Sequence, residues 1–377
     1  MYLAAVLHSV EAMTITDQTE LEDQDVDAAA VEEFAGKVVE TINGGLLTCL
    51  IGIGFRTRLF ELATAGPATS AELADRGGLQ ERYVREWLAA MASADIFEYD
   101  AESRQFWLPV EHAAVLTGDT YDNLAPLAYL VSVITRQGGA VTKCFSEGGG
   151  VPWEAYLPEM HDLMDILWQP MYRDSLVQQI LPLAPGLIAK LEAGIRVADV
   201  ACGSGNSTLV LSRRFPNSTF VGYDLDADAI AIARSRARAS GLTNVSFEVA
   251  DVARLTTDRP FGAAFVFFAI HDQARPLDAL TSIRSILEPG GTFLMDEPSI
   301  SSNLEDNIGN PIASMTYGIS LLHCMTVSLA QGGAGLGTGW GEQLARRLLS
   351  EAGFGAVQVY DAPRDPGNAI FVTHRPG

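Results

Sequence analysis

One stretch of the sequence, residues 196–211, constrains the fold more than any other part of this 377-residue chain. Residues 196–200 alternate with β-branched side chains and predict a strand, Cys202-Gly203-Ser204-Gly205 predicts a tight turn, and residues 206–215 have helical spacing. The next predicted strand, residues 218–224, ends in an aspartate that can accept hydrogen bonds from both hydroxyls of a ribose. Strand, glycine turn, helix and terminal acid together predict the opening of a nucleotide-binding βαβ unit.

Departures from known nucleotide-binding motifs limit which ligands the turn is expected to bind. Thr208 stands where a dinucleotide motif has its third glycine, and the sequence has no Gly-x-x-x-x-Gly-Lys-Ser/Thr phosphate loop. The pattern Asp199-x-Ala201-Cys202-Gly203-Ser204-Gly205 instead resembles motif I of the class I S-adenosylmethionine-dependent methyltransferases, which usually have glycine at the position of Ala201. The resemblance covers roughly residues 196–373. A Rossmann-like domain that binds no ligand is the alternative.

The rest of this region continues the same alternation of strands and helices. Further strands are predicted at residues 244–249, 263–268, 292–296, 356–360 and 369–373, with helices at 227–239 and 276–287. This order predicts an α/β domain with a parallel, Rossmann-like, doubly wound sheet of seven strands. Polar residues fall at or just beyond five strand ends: Asp199, Asp224, Asp251, His271 and Glu297. Because such sheets bind ligands at the carboxyl ends of their strands, we expect a site there.

The resemblance implies S-adenosylmethionine as the cofactor, with its ribose on Asp224 and its adenine amino group near Asp251. Phe268 belongs to the expected site although the related proteins have aspartate at that position. The full set of expected cofactor residues is Asp199, Ala201, Cys202, Gly203, Gly205, Asp224, Leu225, Ala250, Asp251, Val252 and Phe268.

The expected catalytic residues are His271, Asp272 and Glu297. The pair His271-Asp272 resembles the His-Asp-Trp of small-molecule O-methyltransferases, in which the histidine is the general base; Gln273 stands in place of the tryptophan. A packing role for the histidine is the alternative, since a lone histidine is more often structural. No metal is expected, because the six histidines form no ligand cluster in the sequence and HExxH is absent.

Four segments are predicted along the chain: a flexible acidic lead-in (1–33), a helical and winged-helix domain (34–118), a helical connector (119–190) and the methyltransferase domain (191–377). In the second segment, one helix is expected to break at Asn43-Gly44-Gly45 before an apolar helix over residues 46–62. A capping box, Thr69-Ser-Ala-Glu72, opens the winged helix. Its second helix, residues 80–94, is expected to turn Tyr83, Trp87, Leu88 and Met91 inward.

A winged helix suggests DNA binding, but its charge argues against that function. Residues 67–110 hold eight acids against four arginines, so dimerisation and substrate enclosure are favoured. The whole chain carries a net charge of −22, which disfavours nucleic acid and anionic membranes as partners. Arg234, Arg236 and Arg238 are interpreted as a solvated helix face.

The compartment is predicted from the cysteines and from hydropathy. Four scattered cysteines fit reduced thiols, residues 1–10 lack the basic region of a signal peptide, and no apolar run reaches the ~18 residues of a membrane span. A cytoplasmic protein is therefore expected.

Residues 298–339 are too long for an ordinary connection and are predicted to form a lid over the substrate. Tyr317, His323, Met325 and Trp340 are the expected substrate residues, although their helical spacing is equally typical of a core. Phe268-Ala-Ile-His-Asp-Gln273, residues 322–333 and Gly339-Trp340-Gly341 resemble bacterial methyltransferases with winged-helix N-termini, often labelled transcriptional regulators.

The resemblance implies a homodimeric enzyme that methylates an O or N atom of a small, fairly apolar molecule. A small-molecule-sensing regulator and a former methyltransferase that keeps S-adenosylmethionine as a structural ligand are the alternatives. The sequence does not specify the substrate, the accepting atom or the dimer interface.

Overall fold

A computed structural model describes residues 26–377. Residues 1–25 of the predicted acidic lead-in lie outside the described residues. A helix begins within the last part of the lead-in. This helix, α1, runs over Ala28–Arg56 without a break at Asn43-Gly44-Gly45, so the predicted interruption is wrong. Glycine in a helix interior costs about 1 kcal/mol relative to alanine, so the two glycines weaken this helix and do not end it.

The chain divides into two units, the first ending at Leu47 and the second covering Thr48–Gly377. The first unit contains most of α1 and leaves large apolar side chains exposed: Phe34 by 66%, Ile42 by 60% and Leu46 by 63%. By length and composition alone, α1 is the one described helix that could cross a bilayer. The prediction that no segment reaches this length is therefore wrong.

The second unit begins with the winged helix-turn-helix. It comprises α2 (Leu59–Ala63), α3 (Ser70–Gly77), α4 (Glu81–Ser93) and an antiparallel hairpin of β1 (Glu98–Asp100) and β2 (Gln105–Trp107). The predicted capping box is present, with Thr69 and Glu72 bonded reciprocally. Trp87, Leu88 and Met91 are buried as predicted, but Tyr83 is 79% exposed and Val84 is buried in its place.

A helical segment leads from the wing to the sheet. Its helices are α5 (Val110–Leu116), α6 (Ala125–Ile134), α7 (Gly138–Glu147), α8 (Glu159–Asp174) and α9 (Leu187–Ala193). A π-helical turn, Leu176–Ile180, follows α8. Helix α8 carries polar side chains that reach the glycine turn of the sheet, as described below.

Seven strands form the sheet, in the order β5-β4-β3-β6-β7-β9-β8. They are β3 (Arg196–Val200), β4 (Thr219–Asp224), β5 (Val245–Val249), β6 (Phe261–Phe267), β7 (Leu287–Pro298), β8 (Gln358–Ala362) and β9 (Asp365–His374). Strands β3 to β7 are parallel, but β9 pairs antiparallel with both β7 and β8. The sheet is therefore mixed, and the expectation of a wholly parallel sheet is wrong at this edge, where β8 and β9 form a hairpin.

Four helices connect or follow the strands: α10 (Asn206–Arg214), α11 (Ala227–Ala239), α12 (Pro276–Ile286) and α16 (Gly341–Glu351). Apolar side chains from β3, β6 and β7 enter two separate buried clusters, one shared with α12 and α16 and the other with α9 and the π-helical turn. This separation confirms a sheet with helices on both faces.

The predicted lid contains α13 (Leu304–Asn307), α14 (Ala313–Ile319), a second π-helical turn (Ser320–Cys324) and α15 (Met325–Ala330). Its middle part packs on α6, α7 and α8 rather than standing alone: Tyr156 Oη donates to the Leu322 carbonyl at 2.7 Å, and the Val151 amide donates to Thr326 at 2.9 Å. These contacts hold the π-helical turn beside the ends of β6 and β7.

Candidate active site

The glycine turn between β3 and α10 requires an unusual backbone. Gly203 has φ +51° and Gly205 has φ +81°, and a Cβ added to Gly205 would lie 2.6 Å from the Phe247 ring. A Cβ added to Gly203 would meet nothing within 4 Å. Ala201, which lacks the freedom of glycine, also has a positive φ of 57°. The turn therefore leaves open space above Gly203, which a ligand can enter.

Asp199 lies below this turn at the end of β3. One oxygen of its buried carboxylate accepts hydrogen bonds from Ser207 and Thr208, both at 2.6 Å. The other oxygen, Oδ1, is buried and has no hydrogen-bond partner. Burial raises the pKa of Asp199 to about 6. Thr208, at the third-glycine position, thus binds the strand-end acid instead of leaving room for a pyrophosphate.

Asp224, at the end of β4, bonds directly to the glycine turn. Its Oδ2 accepts from the Gly203 amide at 2.7 Å, and its Oδ1 accepts from the Asp226 amide at 2.9 Å. Burial raises the pKa of this carboxyl. Each oxygen retains a lone pair for a further donor, so the carboxylate can hold the turn and also accept ligand hydroxyls.

The end of β5 forms the next part of the wall. Asp251 accepts from the Ala253 amide at 2.9 Å and from Arg275 at 2.8 Å, and its side chain is 36% exposed. Val252 beside it is buried, and the Ala250 amide donates to the Asp224 carbonyl at 2.8 Å. The ends of β4 and β5 are therefore hydrogen-bonded to each other at the expected edge of the sheet.

His271 is held by a buried carboxylate on the neighbouring strand. Its Nδ1 lies 2.5 Å from Glu297 Oε2, and both side chains are almost fully buried. The other oxygen of Glu297 accepts from the Ala269 amide at 2.9 Å and the Ile270 amide at 2.6 Å. Because an ionised carboxylate only accepts hydrogen bonds, Nδ1 carries the proton and Nε2 is left for other chemistry.

Two acids set the basicity of this histidine. Asp272 Oδ1 lies 3.4 Å from His271 Nε2 and has no hydrogen-bond partner. Burial alone lowers the pKa of His271, but the charges of Asp272 and Glu297 outweigh it and hold the pKa well above its ordinary value. The imidazole is thus a strong base with a fixed orientation.

Phe268, where related proteins have aspartate, stacks on Trp168 of α8. The two ring centroids are 3.8 Å apart and the rings are inclined by 14°. Phe268 adopts φ +56°, and its amide donates to the Asp296 carbonyl at 2.8 Å. Phenylalanine in place of aspartate therefore replaces a charged side chain with an aromatic ring that packs against α8.

Helix α8 forms a polar network that was not predicted from the sequence. Asp165 accepts from Arg236 at 2.6 Å, from Asn206 at 2.8 Å, and from the hydroxyl of Ser204 in the glycine turn. The interpretation of Arg236 as a solvated residue is therefore wrong, because it joins α11 to α8 at the edge of the turn.

A second contact lies one helical turn earlier on α8. His161 Nε2 is 2.6 Å from Asp226 Oδ2, which also accepts from Trp153 at 3.3 Å. The one available sequence signal was the spacing of His161 and Asp165 by four residues, which places both on one face of a helix.

One cavity of about 1510 Å³ joins these parts. Residues of the glycine turn and strand ends that line it are Ala201, Cys202, Gly203, Asp224, Leu225, Asp251, Val252, Phe268, His271 and Asp272. Four of the expected residues do not line the cavity themselves: Asp199, Gly205, Ala250 and Glu297. Of the expected substrate residues, His323 lines the cavity, whereas Tyr317, Met325 and Trp340 do not.

Those three residues have other contacts. Tyr317 Oη is bonded to Asn307 at 2.8 Å, Trp340 is 3% exposed within the core on one face of the sheet, and Met325 packs beside Gly337. Apolar side chains from α6, α8 and the lid line the cavity instead: Leu127, Leu130, Met164, Ile312, Met315, Ile319 and Val327.

Family comparisons agree with this architecture. Residues 45–118 match the model of the Rv2258c-like winged helix-turn-helix domain, and residues 191–353 match a methyltransferase domain. The trans-aconitate 2-methyltransferase of Methylobacterium nodulans is 34% identical over 33% of this chain and 45% of its own length. The fatty-acid O-methyltransferase of Mycolicibacterium smegmatis is 35% identical over 27% of this chain and 36% of its own. The chain thus spans less than half of either relative.

Solved structures share the fold over nearly the whole chain. Human N-acetylserotonin methyltransferase in complex with SAM superimposes with a TM-score of 0.67 and 16% identity, covering 94% of this chain and 99% of that one. An O-methyltransferase family protein from Burkholderia thailandensis gives 0.65 and 17%, covering 91% and 98%.

The fold and the strand-end site define a class I S-adenosylmethionine-dependent methyltransferase. Within that class, the chain combines an Rv2258c-like winged helix-turn-helix domain over residues 45–118 with a methyltransferase domain over residues 191–353. The predicted family, its fold class and its class of cofactor are confirmed.

Proposed function

We propose that this protein transfers the methyl group of S-adenosylmethionine to an O or N atom of a small, fairly apolar molecule, with His271 as the general base. The observation that carries the proposal is the buried pair of His271 and Glu297, whose imidazole lines the same cavity as Gly203 and Asp224. A buried, oriented base beside a nucleotide-binding turn fits methyl transfer to an acceptor that must lose a proton.

The residues present fit the cofactor. The space above Gly203 accommodates a ligand close to the backbone, Asp224 has lone pairs for the ribose hydroxyls, and Asp251 lines the same cavity as an acceptor for the adenine amino group. When bound, S-adenosylmethionine supplies an electrophilic methyl group on a sulfonium. His161 and Asp165 support the outer edge of this site from α8.

The chain's own contribution is alignment, exclusion of water and removal of one proton. The apolar lining from α6, α8 and the lid favours a substrate with a large apolar surface. His271 Nε2 accepts the proton of the attacking O–H or N–H group. Glu297 and Asp272 stabilise the resulting imidazolium, because both carboxylates lie beside the ring.

Calorimetry on the purified protein tests the cofactor part. We expect S-adenosylmethionine to bind at micromolar or tighter concentration and NAD not to bind. Asp224→Ala removes an acceptor of charge-assisted hydrogen bonds, worth roughly 1.5–3 kcal/mol, so affinity should fall about 10- to 150-fold. Binding of NAD without S-adenosylmethionine would refute the assignment.

Single-turnover kinetics tests the base, using labelled S-adenosylmethionine and a panel of phenols, carboxylic acids and amines to find an acceptor. His271→Ala should slow methyl transfer by about 10²–10⁴-fold while cofactor affinity is retained. A loss below about fivefold would make the histidine a packing residue and leave catalysis to proximity alone.

We infer no nucleic-acid partner for the winged helix. Its second helix, α4, pairs Arg82 with Glu86 and Arg85 with Glu81, so both arginines that could face phosphates already have acidic partners. Nonspecific duplex binding should be weaker than the ~10⁻⁴–10⁻⁶ M typical of basic readers. A sequence-specific mobility shift at nanomolar protein would favour the regulator alternative. The strongly negative charge disfavours anionic membranes as partners, and the free cysteines fit a cytoplasmic location.

We infer a homodimer that covers the exposed face of α1. Phe34, Val38 and Ile42 repeat at helical spacing and are 66%, 41% and 60% exposed. An apolar face of this kind is expected to be buried by a second copy. Analytical ultracentrifugation should show a dimer, and Phe34→Glu with Ile42→Glu should give monomers; a monomeric wild-type protein would contradict the inference.

A further inference from the structure

Three potential metal ligands converge at the base itself. His271 Nε2, a carboxylate oxygen of Asp272 and the Cys324 Sγ all lie within 4.8 Å of one another. The cysteine comes from the π-helical turn of the lid, 53 residues further along the chain, and is 5% exposed. π-helical turns are rare and often occur at functional sites.

The distance between the histidine and aspartate atoms fits a tetrahedral ion. Two ligands with bonds of about 2.0–2.1 Å are separated by roughly 3.3–3.4 Å in a tetrahedral zinc site. His271 Nε2 and Asp272 Oδ1 are 3.4 Å apart. The Asp272 oxygen is buried without a hydrogen-bond partner, so an ion would supply the partner that it lacks.

The surroundings also match those of a metal-binding histidine. Metal-ligating imidazoles usually donate their other N–H to a carboxylate, which fixes the tautomer and raises the basicity of the ligating nitrogen. Glu297 does this for His271 at 2.5 Å. His271, Asp272 and Cys324 all line the cavity, which leaves a fourth coordination position open to water or substrate.

We propose that His271, Asp272 and Cys324 bind a zinc-type divalent ion, and that the bound ion switches methyl transfer off by occupying the nitrogen that acts as the base. On binding, the ion accepts lone pairs from Nε2, the carboxylate and the thiolate. The thiol proton is released to solvent, and so is the Nε2 proton wherever His271 is protonated. No group is oxidised or reduced. The inhibition rests on the proposed function, whereas the ion site stands independently of it.

Direct binding is measured first and needs no substrate. Zn²⁺ is titrated against a chromogenic chelator, and Co²⁺ is added separately to record the near-ultraviolet charge-transfer band of a thiolate–cobalt bond. We expect one ion per chain and a thiolate band. Cys324→Ser should remove the band and weaken Zn²⁺ binding by at least about 10- to 100-fold. The matched control is Cys144→Ser, a half-buried cysteine outside the cluster, which should bind like wild type.

Asp272→Asn provides a second variant should Cys324→Ser fail to fold, and it should weaken Zn²⁺ while keeping the thiolate band. Unchanged binding in both cluster variants would place the ion elsewhere and overturn the site, as would a wild-type protein that binds no ion at tens of micromolar.

Regulation is then measured as the ratio of methyl-transfer rates with and without Zn²⁺ within each protein. Stoichiometric Zn²⁺ should abolish wild-type transfer, a chelator should restore it, and Cys324→Ser should keep most of its own metal-free rate. Equal inhibition of wild type and Cys324→Ser would refute the switch. Tight, cysteine-dependent binding without any methyl transfer would instead refute the proposed function and leave the ion site standing.

Discussion

Replacing Glu297 by glutamine tests the catalytic geometry at a single atom. The glutamine carbonyl can still accept from the Ala269 and Ile270 amides, so the backbone turn after β6 keeps its hydrogen bonds. The amide nitrogen, however, then faces His271 Nδ1 as a donor. The imidazole must accept at Nδ1 and carry its proton on Nε2, which is the nitrogen that the reaction needs free.

The size of both effects follows from burial. Glu297 is fully buried and the His271 side chain is 4% exposed, so solvent does not screen their interaction. Exchanging a charge-assisted hydrogen bond for a neutral one should cost about 1–2 kcal/mol of folding stability. The wrong tautomer should cost methyl transfer about 10²–10⁴-fold, the usual value of a general base.

Nuclear magnetic resonance of ¹⁵N-labelled histidine reads the tautomer without a substrate, and the chain has only six histidines to assign. We expect Nδ1–H in the wild type above the pKa of His271, and Nε2–H in Glu297→Gln, with the pKa of His271 lowered. Glu288→Gln, at an exposed position near the start of β7, is the control and should change neither. A variant that keeps the Nδ1–H tautomer and the wild-type rate would refute the reasoning.

Three further predictions concern the turn, its support from α8 and the pH dependence. Asp165→Asn should weaken S-adenosylmethionine by roughly 5- to 30-fold in calorimetry, since it loses about 1–2 kcal/mol of partly screened ion pairing, whereas Asp162→Asn on the exposed face should not. Gly205→Ala should lose about 2–4 kcal/mol in chemical denaturation, because its Cβ meets an aromatic ring at a positive φ. Gly203→Ala should instead fold and lose cofactor affinity; equal stability losses in the two variants would contradict this. Because the pKa of His271 is raised, the rate of methyl transfer should climb with pH above 6.5, and a rate that is already level at pH 6.5 would contradict the assignment. The raised pKa also stabilises the folded protein at low pH. This stability should be lost as the pH rises through the pKa of His271 in the folded state.

Much of the cofactor half of the site could be predicted because its determinants are local. The positive φ values of Gly203 and Gly205 and the reciprocal capping of Thr69 and Glu72 depend on a few consecutive residues. The strand ends could be predicted for a similar reason, since parallel strands bring their terminal side chains to one edge. The sequence therefore predicts the position of Asp224 beside the turn, where its carboxylate accepts from the Gly203 amide.

The substrate half could not be predicted in the same way. Helical spacing in the lid marks Tyr317, His323 and Met325 equally as core or as cavity residues, and only packing distinguishes them. The continuous helix α1 shows a related limit: glycine raises the local cost of a helix by about 1 kcal/mol, which neighbouring residues can outweigh.

Local sequence patterns predict the βαβ opening, the seven strands and the acids at their ends, because short-range backbone geometry and periodicity specify these features. Which distant groups meet depends instead on the packing of the whole fold. Asp165 reaches Arg236 across 71 residues, and Trp168 stacks on Phe268 across 100. Cys324 reaches His271 because a π-helical turn of the lid packs beside the ends of β6 and β7. Such contacts depend on how whole elements pack, and no local pattern in the sequence records them.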